Sequence, residues 1–338
     1  MTKERASVFV IAEQSGSGIQ PVSLQLVGKA RQLADSFDSK VGVIFLGHEL
    51  TATAQKLIEA GADEVLLGDS TALIPYQAEL YTDVIVRIIA EYHPEILLLG
   101  STFMGRELAP LIAARLETGL TAHCIELSIN PEGILEQRIP AYGGLITIVC
   151  PEKRPQMATV ANGVFSDPVL DPTRAGNVTP IEVPGDFPLR ARTLELVHED
   201  APGVSLESAS VIVAGGAGAG DFEGWSQIAE LAALLRAGFG STRPAVDAGW
   251  TELGTMIGQS GKMVSPNLYI GVGVSGELQH MVGIVGAKIM IAVNNDPKAP
   301  VFKQVDYGVV EDCRVFVPAL VEALKNREAY AVRATHDN

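Results

Sequence analysis

Apolar runs alternate with amphipathic segments along the first part of the chain. Val8 to Ala12 is an uninterrupted apolar run, the pattern of a strand buried on both faces. Pro21 to Phe37 has helical spacing, with Leu24, Val27, Leu33 and Phe37 as its apolar stripe. The pattern then predicts a strand over 41–46, a helix over 51–60 stopped by Gly61, and a short strand over 65–67. A helix over 76–92 with Pro94 just beyond it, a strand over 96–99 and a helix over 105–116 follow. Strands that alternate with helices in this way imply a parallel, doubly wound α/β sheet.

Between Ser166 and Ser205 the alternation stops, and six prolines fall in the stretch. It reads as a connector with an edge strand over 192–197. The domain boundary is expected near Val204, giving an N-terminal α/β domain over 1–203 and a second parallel α/β domain over 204–338. The alternation resumes with a strand over 210–214, the run GGAGAGDFEG and a helix over 225–237. Glycines 216, 218 and 220 miss the G-x-G-x-x-G spacing of a dinucleotide fingerprint, and no acidic residue follows the second strand of a compact unit.

The second domain is organised around 268–296. An apolar run, Leu268-Tyr269-Ile270, leads to Gly271, Gly273 and Gly276, then to a helical segment with Gln279 and His280, and to a strand over 289–293 ending on Asn294. Small and polar residues thus gather at the carboxyl ends of two parallel strands, where open α/β sheets bind ligands. Glycine there lets a backbone approach a ligand closely. Read from the residues alone, a tightly packed crossover with no ligand is an equal alternative, and the adjacent Gln-His pair favours the ligand.

The formal charge of −15 makes nucleic acid and anionic membranes poor partners. No apolar run is long enough to span a bilayer, and the opening residues MTKERASVFVIAE enter a strand without a secretory apolar core. Cys124, Cys150 and Cys313 are far apart and form no CxxC, so no metal site is expected. A reducing, cytoplasmic setting follows. Gly100-Ser101-Thr102 before a helix reads as a helix cap rather than a phosphate cradle.

The run SGELQHMVGIVGAKIMIAVNND resembles the signature of the large (alpha) subunit of electron transfer flavoproteins, and the likeness continues through DPKAPVF and VDYGVVED to about Ala323. It also reaches back through GRELAPLIAARLETGLTAHC, RIPAYGG and EKRPQMATVANG. The chain departs from the family text at His123, where aspartate is usual and a structural role is expected, and at Ile139 and Ala161-Asn162, where family arginines are lost. The family's Ser-Gly-Gly-Arg-Gly corresponds here to Ala214 through Gly218, so Ala217 stands where an arginine contacts FAD. Thr242-Arg243 and Gly258-Gln259-Ser260-Gly261 keep the hydroxyl and charge of two further motifs.

The resemblance implies an FAD-binding subunit of a heterodimeric electron carrier. Arg243 would supply a cation near the flavin, Ser260 a hydroxyl toward N5, and His280 would face O2. Ser275, Gly276 and Gln279 would line the pyrophosphate and ribityl path, with Asn294 and Asp312 toward the adenosine. Taken singly, Arg243 reads equally as a partner of Asp247, Ser260 as a turn residue and Asp312 as a surface residue. The expected partner is a smaller beta subunit that holds AMP, or a second FAD in electron-bifurcating members. Donors would be flavin dehydrogenases such as the acyl-CoA dehydrogenases of fatty acid β-oxidation, and the acceptor a quinone oxidoreductase or another protein. On this reading the chain is a redox carrier without catalytic residues. A nicotinamide-dependent dehydrogenase and a non-redox nucleotide-binding module are the rival readings.

Overall fold

The computed structural model describes residues 8–336 except 17, 142–143, 192, 196–203 and 208, with the backbone alone for 327–336. The chain divides into two units, Met1–His198 and Glu199–Asn338. Residues 199–203, just before the boundary expected at Val204, lie outside the described residues.

In the first unit, strand β1 (Val8–Ala12) is followed by a small antiparallel pair, β2 (Gln14–Ser15) and β3 (Gly18–Ile19), and by helix α1 (Pro21–Asp35). Then come β4 (Val41–Gly47), α2 (Thr51–Glu59), β5 (Glu64–Asp69), α3 (Ala78–Tyr92), β6 (Ile96–Gly100), α4 (Phe103–Leu116) and β7 (Leu120–Cys124). Three antiparallel strands, β8 (Glu126–Ile129), β9 (Leu135–Ala141) and β10 (Gly144–Ile148), precede β11 (Gln156–Val160) and β12 (Asn177–Pro180). The main sheet has the order β12-β5-β4-β1-β6-β11-β7, parallel throughout.

Why β1 reads as a continuous apolar run is visible in its two faces. Val8, Val10 and Ala12 pack with Val22, Leu26 and Val27 of α1, whereas Phe9 and Ile11 pack on the opposite face with Ile85 of α3 and Leu108 of α4. A strand alternates its side chains, so both sets must be apolar when helices cover both faces. The apolar stripe of α1 centres on Leu26, which is fully buried, with Leu24 half-buried against the same core.

Two parts of this unit differ from the sequence reading. The antiparallel sheet β8–β10 was not foreseen. The connector's strand is β12, paired to β5, and Thr193–Glu195 of the expected edge strand carry no strand; residues 192, 196 and 197 lie outside the described residues.

The second unit holds β13 (Val211–Gly215), α5 (Phe222–Leu234), β14 (Gly238–Ser241), α6 (Arg243–Asp247), β15 (Leu268–Val272), α7 (Leu278–Met281), β16 (Ile289–Asn294), β17 (Tyr307–Val310) and α8 (Cys313–His336). Its parallel sheet has the order β14-β13-β15-β16-β17. One face is covered by α5 and α8, through Trp225, Ile228, Leu231, Val317 and Val321 packed on Val213, Ile270 and Val272. The other face carries Ile212, Ala214 and Tyr269, and it is covered by chain that is not long helix: Leu206, Ala209, Ile257 and Val264. From β13 the chain steps to β14 on one side and later to β15 on the other. The carboxyl ends of β13 and β15 are therefore a topological switch point, where loops diverge and leave a crevice.

Candidate functional site

A cavity of about 650 Å³ opens at that switch point, within the usual range for a small-molecule site. Five stretches build its wall. The turn after β13 contributes Ala217 and Gly218, and the β14–α6 junction contributes Thr242, Arg243 and Pro244. A loop contributes Met256 through Ser260, and the segment after β15 contributes Gly273, Ser275, Glu277, Gln279 and His280. Asn294 and Asn295 close it from the end of β16.

The glycines of the first turn serve the backbone. A Cβ on Gly216 would stand 2.3 Å from the carbonyl oxygen of Gly273, and one on Gly218 would stand 2.6 Å from Gly273 Cα. The turn therefore docks directly on the loop after β15, and Gly218 N–H donates to the Gly273 carbonyl at 2.9 Å. The N–H groups of Gly216, Ala219 and Gly220 are likewise bonded to carbonyls, at 2.9, 3.1 and 3.0 Å. At this turn it is the exposed side chain of residue 217 that faces the cavity. Ala214 is fully buried in β13 and does not line it.

Thr242 is the N-cap of α6, yet its side chain makes no capping bond, and Arg243 is the helix's first residue. The loop from Met256 folds back on itself, with Lys262 N–H donating to the Met256 carbonyl at 2.7 Å and Gly261 N–H to that of Gly258 at 3.0 Å. Its tip, Gln259 and Ser260, is exposed. Gln259 N–H donates to the Gln279 carbonyl at 2.8 Å, which fastens this loop to α7. Gly258 has φ +140° and a Cβ there would lie 2.3 Å from the same carbonyl, so only glycine permits the junction. Gly261 is required by the fold-back for a similar reason, with Met256 O 2.2 Å from its Cβ position, and it does not line the cavity.

His280 is 7% exposed on the cavity wall. Its Nδ1 lies 3.0 Å from the Ile257 carbonyl and its Nε2 lies 2.7 Å from the Tyr269 hydroxyl. A carbonyl only accepts, so Nδ1 carries the proton and Nε2 accepts from the tyrosine. Burial pushes its pKa down to about 4, with the Ile257 carbonyl pulling the other way. His280 thus lines the cavity with both ring nitrogens bonded within the protein. Tyr269 was read from the sequence only as part of a strand. The signal was present, because a fully buried tyrosine needs a partner for its hydroxyl.

Of the other predicted residues, Thr242, Arg243, Gly258, Gln259, Ser260, Ser275, Gln279 and Asn294 are brought together on this wall. Asn294 also ties the site together, donating from Nδ2 to the Val274 carbonyl at 2.9 Å and accepting from Asp296 N–H at 2.9 Å. Gly276 and Asp312 do not line the cavity. Gly276 lies beneath it against the backbone of Val301. Asp312 is held by Arg314, 2.8 Å from Nη2, and caps the Arg314 N–H at 2.9 Å. The polar set lining the cavity is one cation, Arg243, one carboxylate, Glu277, the His280 ring, hydroxyls and carboxamides, beside the apolar Met256 and Ile257. That set suits a ligand with both an anionic bridge and a flat heteroaromatic part, and FAD fits it.

In the first unit, Thr102 Oγ1 accepts from Gly105 N–H at 2.9 Å, so Gly100-Ser101-Thr102 is a helix cap. His123 sits 2.8 Å from Ser101 Oγ with its ring half-buried.

Residues 8–186 match the family model described as the electron transfer flavoprotein domain, and residues 205–285 match the electron transfer flavoprotein FAD-binding domain. The electron transfer flavoprotein subunit alpha of Thermoanaerobacterium thermosaccharolyticum is 41% identical over 321 residues, covering 94% of this chain and 97% of that protein. This chain belongs to the electron transfer flavoprotein alpha-subunit family. Other members include the alpha subunit of Megasphaera elsdenii, 39% identical over 97% of this chain and 99% of its own length. The protein FixB of Clostridium saccharobutylicum is 41% identical over 94% and 96% respectively. Both parts of the alpha-subunit architecture are thus represented, and the cavity of the second unit falls largely within the matched FAD-binding region. Among the described residues, no helix is long and apolar enough to cross a membrane.

Proposed function

We propose that this chain is the FAD-holding subunit of a heterodimeric electron carrier, with every contact it makes to FAD on residues 204–323. Electrons would come from flavin dehydrogenases, such as acyl-CoA dehydrogenases, and pass to a quinone oxidoreductase or another acceptor. The observation that carries this reading is the cavity at the β13/β15 switch point, walled by Thr242, Arg243, Ser260, Ser275 and Gln279.

Bound FAD supplies reversible one- and two-electron chemistry that these side chains lack. The residues' work is to hold and tune it. Ser275 and Gln279 bind the polar path between the two ends of the cofactor. Ser260 offers a hydroxyl and Arg243 a permanent positive charge, both of which favour negative charge gained on reduction. Met256 and Ile257 keep water from one wall. On this reading neither a nucleophile nor a general base is required of the chain. A smaller beta subunit, holding AMP or a second FAD, would complete the cleft.

The test is to purify the chain with a co-expressed beta subunit, record its absorption spectrum and identify the released nucleotides. One FAD per chain is expected. A colourless, well-folded complex would refute the reading.

A further inference from the structure

We propose that Tyr269 is a positioning residue: its hydroxyl occupies Nε2 of His280 while the Ile257 carbonyl occupies Nδ1, fixing the ring as a neutral Nδ1-protonated imidazole in the cavity wall. Tyr269 lies in β15 with its side chain fully buried on the sheet face opposite α5 and α8. Because strand side chains alternate, this face looks toward the chain that carries Ile257 and α7. The hydroxyl-to-Nε2 distance of 2.7 Å is that of a good hydrogen bond. Both ring nitrogens are therefore satisfied without any ligand, and a proton added at Nε2 displaces the tyrosine hydrogen in a buried place.

Charged groups reach this neighbourhood from three elements. Arg243 stands on α6, Lys262 on the Met256–Lys262 loop and Glu277 immediately before α7. Burial itself, rather than any of these charges, is the main cause that disfavours the imidazolium. Tyr269 adds a directed bond to that general effect. The consequence is that the electrostatics of the site hold steady while solution pH varies around neutrality. For the bound flavin this consequence rests on the FAD reading; the positioning of His280 does not.

The experiment uses the full chain with its beta subunit, labelled with ¹⁵N-histidine, as wild type and as Tyr269→Phe. In the wild type His280 should show a protonated Nδ1 and an unprotonated Nε2, unchanged from pH 8 down to about 5. In Tyr269→Phe the titration midpoint should rise by about one pH unit, the effect of losing one hydrogen bond to the neutral form. The first reduction potential of the flavin should gain a matching pH-dependent break. An unmoved midpoint in a folded Tyr269→Phe, or a wild-type proton on Nε2, overturns the proposal. Should the phenylalanine variant fail to fold, 3-fluorotyrosine at 269 keeps the shape and donates more strongly. It should displace the Nε2 resonance, and an unmoved resonance overturns the proposal equally. A complex without flavin refutes the electron-carrier reading and leaves the nitrogen assignments standing; unmoved nitrogens in a flavin-replete complex refute the positioning alone.

Discussion

The guanidinium of Arg243 donates from Nε to Oδ1 of Asp247 at 2.7 Å, one turn along the same short helix. Both side chains are more than half exposed, 65% and 56%. An exposed i,i+4 pair stabilises little, so its chief effect is to orient the guanidinium at the cavity rim.

Arg243→Ala should lower the first reduction potential of the complex by tens of millivolts, since a positive charge near the flavin favours the electron it gains. Asp247→Asn should raise it, by less, because a negative neighbour is removed. Both shifts should shrink in high salt, as exposed charges are screened. Spectroelectrochemical titration measures them. An unchanged potential in a fully flavinylated Arg243→Ala would leave the arginine as a partner of Asp247 only.

Ala217→Arg should tighten FAD retention about ten- to a hundredfold, the effect of one charge-assisted hydrogen bond to a phosphate. Neighbouring N–H groups of the turn are already bonded to carbonyls, so the new side chain competes with little. Fluorescence titration of the apo-complex measures the affinity, and equal affinity in the two proteins would show that the phosphate lies away from this turn.

Gly276→Ala should destabilise the second unit by roughly 2 kcal/mol or more. Gly276 has φ +85°, and an added Cβ would stand 2.3 Å from both Val301 N and Val301 Cα. Val301 N–H also donates to the Ser275 carbonyl at 2.9 Å. The variant should therefore release FAD more readily as well as melt earlier. Urea unfolding and flavin release rates test both effects.

Glu13 is 4% exposed at the end of β1, and Thr102 donates its hydroxyl to the carboxylate at 2.7 and 2.8 Å. Burial raises its pKa from 4.5 to about 7, against the lowering effect of Thr102. A raised folded-state pKa means that the folded chain holds the proton more tightly than the unfolded chain. Its contribution to stability is therefore complete below about pH 4.5 and is lost as pH rises through about 7. Glu13→Gln should remove this loss and be the more stable protein at pH 8, by on the order of 3 kcal/mol. Thermal unfolding of both proteins between pH 4.5 and 8 measures the difference. Parallel stability curves would show that the carboxyl is not buried as described.

The parallel strands were legible because burial on both faces forces continuous apolar runs, as in β1, β4 and β6. The antiparallel β8–β10 was not, because its residues are mostly half-exposed and mix apolar with polar without a clean period. The edge strand β12 hid in a proline-rich stretch that looks like linker, although Pro180 at its end is tolerated on an edge. At the site, polar residues at strand ends marked the cavity. Their partners were harder to read. Spacing does not show that Arg314 holds Asp312, or that the loop carrying Ile257 folds back to place a carbonyl on His280. The first is a local contact at the start of α8, and the second depends on how irregular chain packs over the sheet face opposite α5 and α8.

The central claim is that this chain binds FAD at the carboxyl edge of its second sheet. The most direct measurement is a crystal structure of the complex with its beta subunit at a resolution that places the cofactor. The account predicts one FAD with its flavin ring against Arg243 and Ser260 and its pyrophosphate against Ser275 and Gln279. A flavin ring seated mainly on residues before Ser166 would contradict it.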